Sequence, residues 1–188
     1  IFIAGSEGMV GSAIKRNLSF NDYHNLLCPT RIELDLTNNK NVEDWFTNNK
    51  PDIVIIAAAK VGGIFANNSY PSDFLLDNLK IQNNLIETSW KFGVKRLLFL
   101  GSSCIYPKYA KQPIQEEELM NGRLEKTNES YALAKIAGLK LCNSLRTQYG
   151  FDAISLMPTN LYGTGDNYRE SDSHVLAALI SKFVKAKY

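Results

Sequence analysis

Five short, nearly continuous apolar runs constrain this chain more than any other feature of its sequence. IFIA (1–4), NLLC (25–28), DIVIIAAA (52–59), RLLFLGSS (96–103) and AISLMP (153–158) show no alternation of apolar and polar residues. Such runs are expected of strands covered on both faces. Between them lie GMVGSAIKRNLSF, NVEDWFTNN, DFLLDNLKIQNNLIETSWKFG and ESYALAKIAGLKLCNSLRTQYG, each with apolar residues at helical spacing. Leu75, Leu79, Leu85 and Ile86 mark one helical face, and Gly93 and Gly150 stand where helices close on a left-handed glycine. Strands alternating with helices predict an α/β fold built on a doubly wound parallel sheet. In that arrangement ligands bind at the carboxyl ends of the strands.

Two connections are longer than a joint requires. Residues 58–70 (AAKVGGIFANNSY) and 104–129 both follow strand ends and are expected to overhang the ligand crevice. Ile1 already lies inside an apolar run, and HVLAALISKFVKAKY reads as a helix with no strand after it, so both ends read as cut from a longer chain.

With 188 residues, 45% of them hydrophobic, the chain can bury one substantial core. The net charge of +2 gives no electrostatic case for nucleic acid or a membrane as partner. Lys182, Lys185 and Lys187 read as a solvated helix face. No apolar run approaches the roughly 18 residues of a membrane span, which predicts a soluble protein. Cys28, Cys104 and Cys142 are widely spaced, with no metal-ligand pattern. They suit a reducing, cytoplasmic setting, and two of them are expected in the core.

Directly after the first strand comes GSEGMVG, with Gly5, Gly8 and Gly11. Glycines at such a place allow a tight turn, let backbone approach a pyrophosphate, and seat the next helix against the sheet. The spacing G-x-x-G-x-x-G between strand and helix points to a Rossmann-like dinucleotide site. At the end of the second strand the first charged side chain is Arg31, whose guanidinium can grip a 2′-phosphate, so NADP is favoured. Glu7 and Glu33 oppose that preference.

Tyr131 and Lys135, in SYALAK, stand four apart on one helical face. A tyrosine with an ordinary pKa near 10 is a poor acid or base at neutral pH, and an ammonium beside it stabilises the phenolate. Tyr-x-x-x-Lys alone is a weak signal. The end of RLLFLGSS strengthens it, because Ser102 and Ser103 can approach Tyr131 and hydrogen-bond a carbonyl that Tyr131 protonates during reduction. The competing reading is a serine that satisfies orphan backbone groups at a strand end, and for Ser103 it is the stronger one.

The stretches FIAGSEGMVGSAI, AAAKVGGIFANNSYPSDF, LLFLGSSCIYPKYAKQPIQEEEL, TNESYALAKIAGLKLC and MPTNLYGTGDN resemble the extended short-chain dehydrogenase/reductases, and within them the GDP-L-fucose synthase family. The resemblance runs over essentially the whole chain; GSSCIYPK and AAAKVGG carry its specificity. It implies conversion of GDP-4-keto-6-deoxy-D-mannose to GDP-L-fucose with NADPH. Ser102, Tyr131 and Lys135 match the family's reductase triad, Cys104 its epimerisation base and His174 its acid. From its residues alone, Cys104 could equally be a core residue, and His174 a surface histidine unless a negative group such as the substrate diphosphate holds its proton. The resemblance also implies that Asn160 and Lys182 contact the nucleotide sugar and that Asp35 approaches the adenine. Lys182 stands where an arginine is frequent, and Glu7 where some relatives carry a basic residue.

The expected cofactor contacts are Gly5, Gly8, Met9, Val10, Gly11, Arg31, Asp35, Ala58, Lys135, Pro158 and His174. The expected substrate contacts are Ser102, Ser103, Cys104, Asn160 and Lys182. Residues 1–160 are expected to form the NADP-binding domain with the catalytic groups, and 161–188 to begin a truncated substrate-binding region. Helices Asp73–Phe92 and Ser130–Tyr149 resemble those that form homodimers in this superfamily. Two other readings share Ser, Tyr and Lys: an NDP-sugar 4-epimerase or 4,6-dehydratase, and a non-catalytic NADP-binding domain.

Overall fold

The computed structural model describes residues 1–169 and 173–187. Four strands, β1 (Phe2–Ala4), β2 (Ile53–Ile56), β3 (Arg96–Leu100) and β4 (Ala153–Leu156), lie side by side in that order and all parallel. Register pairs Phe2 with Val54, Val54 with Leu97 and Leu97 with Ala153, so one continuous row of side chains crosses the sheet. The described helices are α1 (Met9–Phe20), α2 (Asn39–Asn49), α3 (Ile64–Ser69), α4 (Pro71–Lys91), α5 (Glu129–Tyr149) and α6 (Val175–Lys187).

The expected strand NLLC is reduced to one bridge, Leu27 beside Phe2, flanked by bonds from Ile3 N to Leu27 O (3.0 Å) and from Leu27 N to Ile1 O (2.8 Å). Pro29 follows at once and cannot donate to a ladder, while the residues before Asn25 are exposed. Short as it is, this bridge lies on the opposite side of β1 from β2. The chain therefore reverses direction across the sheet between β1 and β2, which is where an open parallel sheet leaves a crevice. Right-handed crossovers then place α1 on one face and α2, α4 and α5 on the other, and α2, α4 and α5 pack in sequence against each other.

Residues Phe2, Ile3 and Ala4 of β1 are all buried, whereas burial alternates along β2, β3 and β4. Val54, Ile56, Leu97 and Phe99 are fully buried beneath the three-helix layer, whereas Ile53, Ile55, Leu98 and Leu100 are only half-buried and Ile154 and Leu156 are exposed. The expectation of full cover on both faces thus fails within the described residues, increasingly toward β4. The aromatic end of the core joins Phe2, Trp45, Phe46 and Phe92 through successive ring contacts of 4.4 to 5.9 Å. On α4 the buried residues are Phe74, Asn78, Gln82, Leu85, Ile86, Thr88 and Ser89, with Leu75 and Leu79 only half-buried. Four polar residues are thus buried on the helix where the leucine spacing suggested an apolar stripe. Cys142 is buried and Cys28 and Cys104 are half-buried, so one cysteine rather than two is in the core.

Neither long connection is featureless. Residues 58–70 contain α3, and 104–129 contain 3₁₀ turns at Ser103–Ile105, Glu116–Glu118 and Lys126–Asn128. Helix α3 packs on the Lys126–Asn128 turn, so the two connections meet above the carboxyl ends of the strands.

Candidate functional site

A cleft of about 510 Å³ opens at the reversal point between β1 and β2. One wall is the glycine loop. Gly5 has φ +83°, and a Cβ there would lie 2.7 Å from the Ala58 backbone; a Cβ at Gly11 would lie 2.0 Å from Gly5 O. Glycine is therefore required at both positions to bring α1 onto the sheet and the loop onto β2. Gly8 caps α1 without a side-chain bond, and no acid occupies the first turn, so the helix start keeps its positive character.

Of the expected cofactor contacts, Gly5, Gly8, Met9, Val10, Gly11, Arg31, Asp35, Ala58 and His174 all line this cleft. Pro158 and Lys135 do not: Pro158 O accepts from Ser103 N at 3.1 Å, beside the end of β3. Arg31 is exposed at the far end, and Glu7 also faces the cleft. The neighbouring acids are engaged locally. Glu33 accepts from Thr30 N (2.7 Å) while its own N–H donates to Thr30 Oγ1 (3.3 Å). Asp35 accepts from Thr37 N (2.9 Å) and Oγ1 (2.7 Å). These bonds hold both carboxyls below the usual carboxylate range.

The opposite wall, residues 57–62, is fixed by side chains that the sequence reading did not single out. Asn78, only 2% exposed, accepts from Lys60 N (2.9 Å) and donates to Lys60 O (3.0 Å) and Phe74 O (2.7 Å). Lys60 Nζ lies 3.0 Å from Asp77 and 3.1 Å from Asp73, which raises its pKa, the Asp77 bond contributing most. The i, i+4 pair Asp73 and Asp77 was the available sequence signal.

A second cluster forms where β3 ends against α5. Ser102 Oγ accepts from Cys104 N at 3.2 Å and so caps the 3₁₀ turn. Burial pushes the Tyr131 phenol up to about 12, helped by the Cys104 sulfur and opposed by the Ser102 hydroxyl. Lys135 is 3% exposed; burial pulls its ammonium down to about 8. It donates to Leu100 O at 2.8 Å and sits 4.8 Å from the Phe99 ring centre and 5.8 Å from that of Tyr131. Near pH 7 the phenol is therefore protonated beside a cation. That state is a proton donor rather than the phenolate the four-residue spacing first suggests.

The remaining expected residues are spread out. Ser103 and Cys104 are half-buried in the turn after β3. Asn160 is exposed after β4, and Lys182 is exposed on α6. His174 is exposed at the head of α6 and lines the dinucleotide-type cleft with Gly165, Asp166 and Asn167; that lining does not include Cys104.

The chain matches the NAD dependent epimerase/dehydratase family over residues 1–187. GDP-L-fucose synthase 1 of Arabidopsis thaliana is 58% identical over 187 residues, which cover 100% of this chain and 58% of the relative. The GDP-L-fucose synthase of Escherichia coli (strain K12) is 55% identical over 186 residues, covering 99% of this chain and 58% of the relative. The chain thus spans about 58% of the length of these curated relatives. Among solved structures, a GDP-mannoheptose C4 reductase from Campylobacter jejuni with NADP bound superposes with a TM-score of 0.92 at 44% identity, covering 99% of this chain and 55% of the other. A GDP-L-fucose synthetase from Naegleria fowleri bound to NADP gives a TM-score of 0.86 at 31% identity, over 98% of this chain and 61% of the other.

Proposed function

The chain belongs to the NAD dependent epimerase/dehydratase family, and from that membership we propose that it carries the cofactor site and reactive groups of an NADPH-dependent epimerase-reductase converting GDP-4-keto-6-deoxy-D-mannose to GDP-L-fucose. The observation that carries this reading is the 55 to 58% identity, over essentially the whole chain, with plant and bacterial relatives named GDP-L-fucose synthase.

The cleft residues fit a dinucleotide. The glycine loop and α1 start would take the pyrophosphate, and Arg31 a 2′-phosphate. Bound NADPH supplies the hydride that reduces the C4 ketone. The protein's own groups handle protons. Protons at C3 and C5 flank that ketone, so removing either leaves an enolate whose oxygen Ser102 and Tyr131 stabilise. Cys104 is the base for those protons and His174 the acid that returns them. Tyr131 then donates its proton to the C4 oxygen as hydride arrives, with Lys135 supplying positive charge behind it. Asn160 and Lys182 contact the nucleotide sugar. Residues 1–160 act as the cofactor domain and 161–188 begin the sugar-binding region. We assign a cytoplasmic homodimer built on α4 and α5.

A second reading, a reductase of another GDP-bound 4-keto sugar, is favoured by the 44% identity with the GDP-mannoheptose C4 reductase. The primary test follows NADPH absorbance on adding GDP-4-keto-6-deoxy-D-mannose, after NADPH binding has been established by fluorescence. Consumption that depends on this sugar is expected. Binding without consumption counts against the proposal. Cys104→Ser separates the two readings: full turnover in that variant favours a simple reductase.

A further inference from the structure

The loop between Lys108 and Arg123 leaves the turn that carries Ser102 and Cys104 and returns just before the helix that carries Tyr131. Its two ends are fastened together. Lys108 N donates to Arg123 O at 2.9 Å, and Gly122 approaches so closely that a Cβ there would lie 3.1 Å from Pro107 Cβ. Across this neck Lys108 Nζ meets Glu125 Oε2 at 2.7 Å. The other carboxylate oxygen, Oε1, accepts from Thr127 N (3.3 Å) and Thr127 Oγ1 (3.5 Å), capping the Lys126–Asn128 turn that leads directly into α5.

We propose that Glu125 is a positioning residue whose carboxylate couples the segment bearing Ser102 and Cys104 to the segment that starts the Tyr131 helix. One oxygen holds each segment. Lys108 is four residues after Cys104, and Thr127 four before Tyr131, so the carboxylate adds a side-chain tie to the direct packing of the Ser103–Ile105 turn on α5. The pair is 43% and 36% exposed, so its Coulomb energy is screened and adds little to stability. Its consequence lies in alignment, where a displacement of about 1 Å can cost up to roughly 100-fold in rate. The role concerns the reductive site described above and so rests on that reading.

The test uses the intact protein and four variants. Glu125→Gln keeps an acceptor for Thr127 and removes the charge; Lys108→Met removes the partner; the double variant closes the cycle; Lys108→Arg keeps the ion pair. Each single loss is expected to lower kcat about tenfold and leave the NADPH dissociation constant within about twofold. The double variant is expected to be no worse than either single one, and Lys108→Arg to match the wild type. A second readout needs no turnover: in a Cys28→Ser background, Cys104 alkylation by iodoacetamide is expected to quicken about threefold in both single variants. Absence of sugar-dependent turnover in the wild type overturns the functional reading while the thiol rates still judge the coupling. Additive losses in the double variant, or wild-type kcat and thiol rates in the singles, overturn the coupling itself.

Discussion

Lys135 holds an ammonium where its one carbonyl partner is Leu100 O and its neighbours are the Phe99 and Tyr131 rings. Burial draws its pKa from 10.5 down to about 8. The folded state therefore binds fewer protons than the unfolded state between pH 8 and about 10.4, and this group makes stability rise with pH across that window. Below pH 8 the whole penalty is present, on the order of 3 kcal/mol. Lys135→Met is accordingly expected to raise the thermal midpoint at pH 7, to flatten its rise toward pH 9.5, and to abolish turnover. Circular dichroism melts across that range check it, and a lower midpoint at pH 7 sinks it. Tyr131→Phe removes the proton donor and is expected to reduce turnover by roughly 10² to 10⁴ with NADPH affinity retained. The Tyr-x-x-x-Lys spacing was legible in the sequence. The desolvation that fixes the protonation states was not, since it comes from residues over thirty positions away on β3.

Elements are legible in the sequence where length and period agree, and are obscured where backbone chemistry intervenes. Helices α1, α2, α4, α5 and α6 fall close to their expected ranges, because each carries an apolar face over several turns. NLLC failed as a strand because Pro29 ends its pairing after one bridge. Asn78 was invisible for the opposite reason. A polar residue on the buried stripe of α4 looks like a break in the pattern, yet its three bonds pin the wall of the cleft at Lys60. Asn78→Leu leaves the Lys60 N–H and C=O without this partner, at an expected cost of about 1–3 kcal/mol. It should also weaken NADPH binding. Leu85→Ala, a core truncation on the same helix, is expected to cost about 2–5 kcal/mol with NADPH affinity preserved. Urea melts and fluorescence titrations on both variants distinguish wall-building from general stability; equal losses of affinity would refute the assignment.

At the scale of the molecule, the sheet is covered asymmetrically in a way the apolar runs do not reveal. Continuous apolar runs predict a sheet shielded on both faces, but run composition does not say what lies against each face. The three-helix layer seals one side, while on the other α1 packs on β1, and Ile154 and Leu156 stay exposed. Helix α6 adds Val175 and Phe183, each 73% exposed, with Leu176, Leu179, Ile180 and Val184 also exposed on its surface. An open apolar area of this kind on a chain of 188 residues is unusual for a monomer and favours association. The 188-residue chain by itself is therefore expected to bind 8-anilinonaphthalene-1-sulfonate strongly under native conditions, with NADPH leaving the signal largely unchanged, since the cleft lies at β1 and β2. Replacing Phe183 and Val184 together by Gln should lower that fluorescence and raise solubility, with a change in stability within about 0.5 kcal/mol, because neither side chain is packed. Dye fluorescence that NADPH abolishes would instead place the apolar surface inside the cofactor cleft.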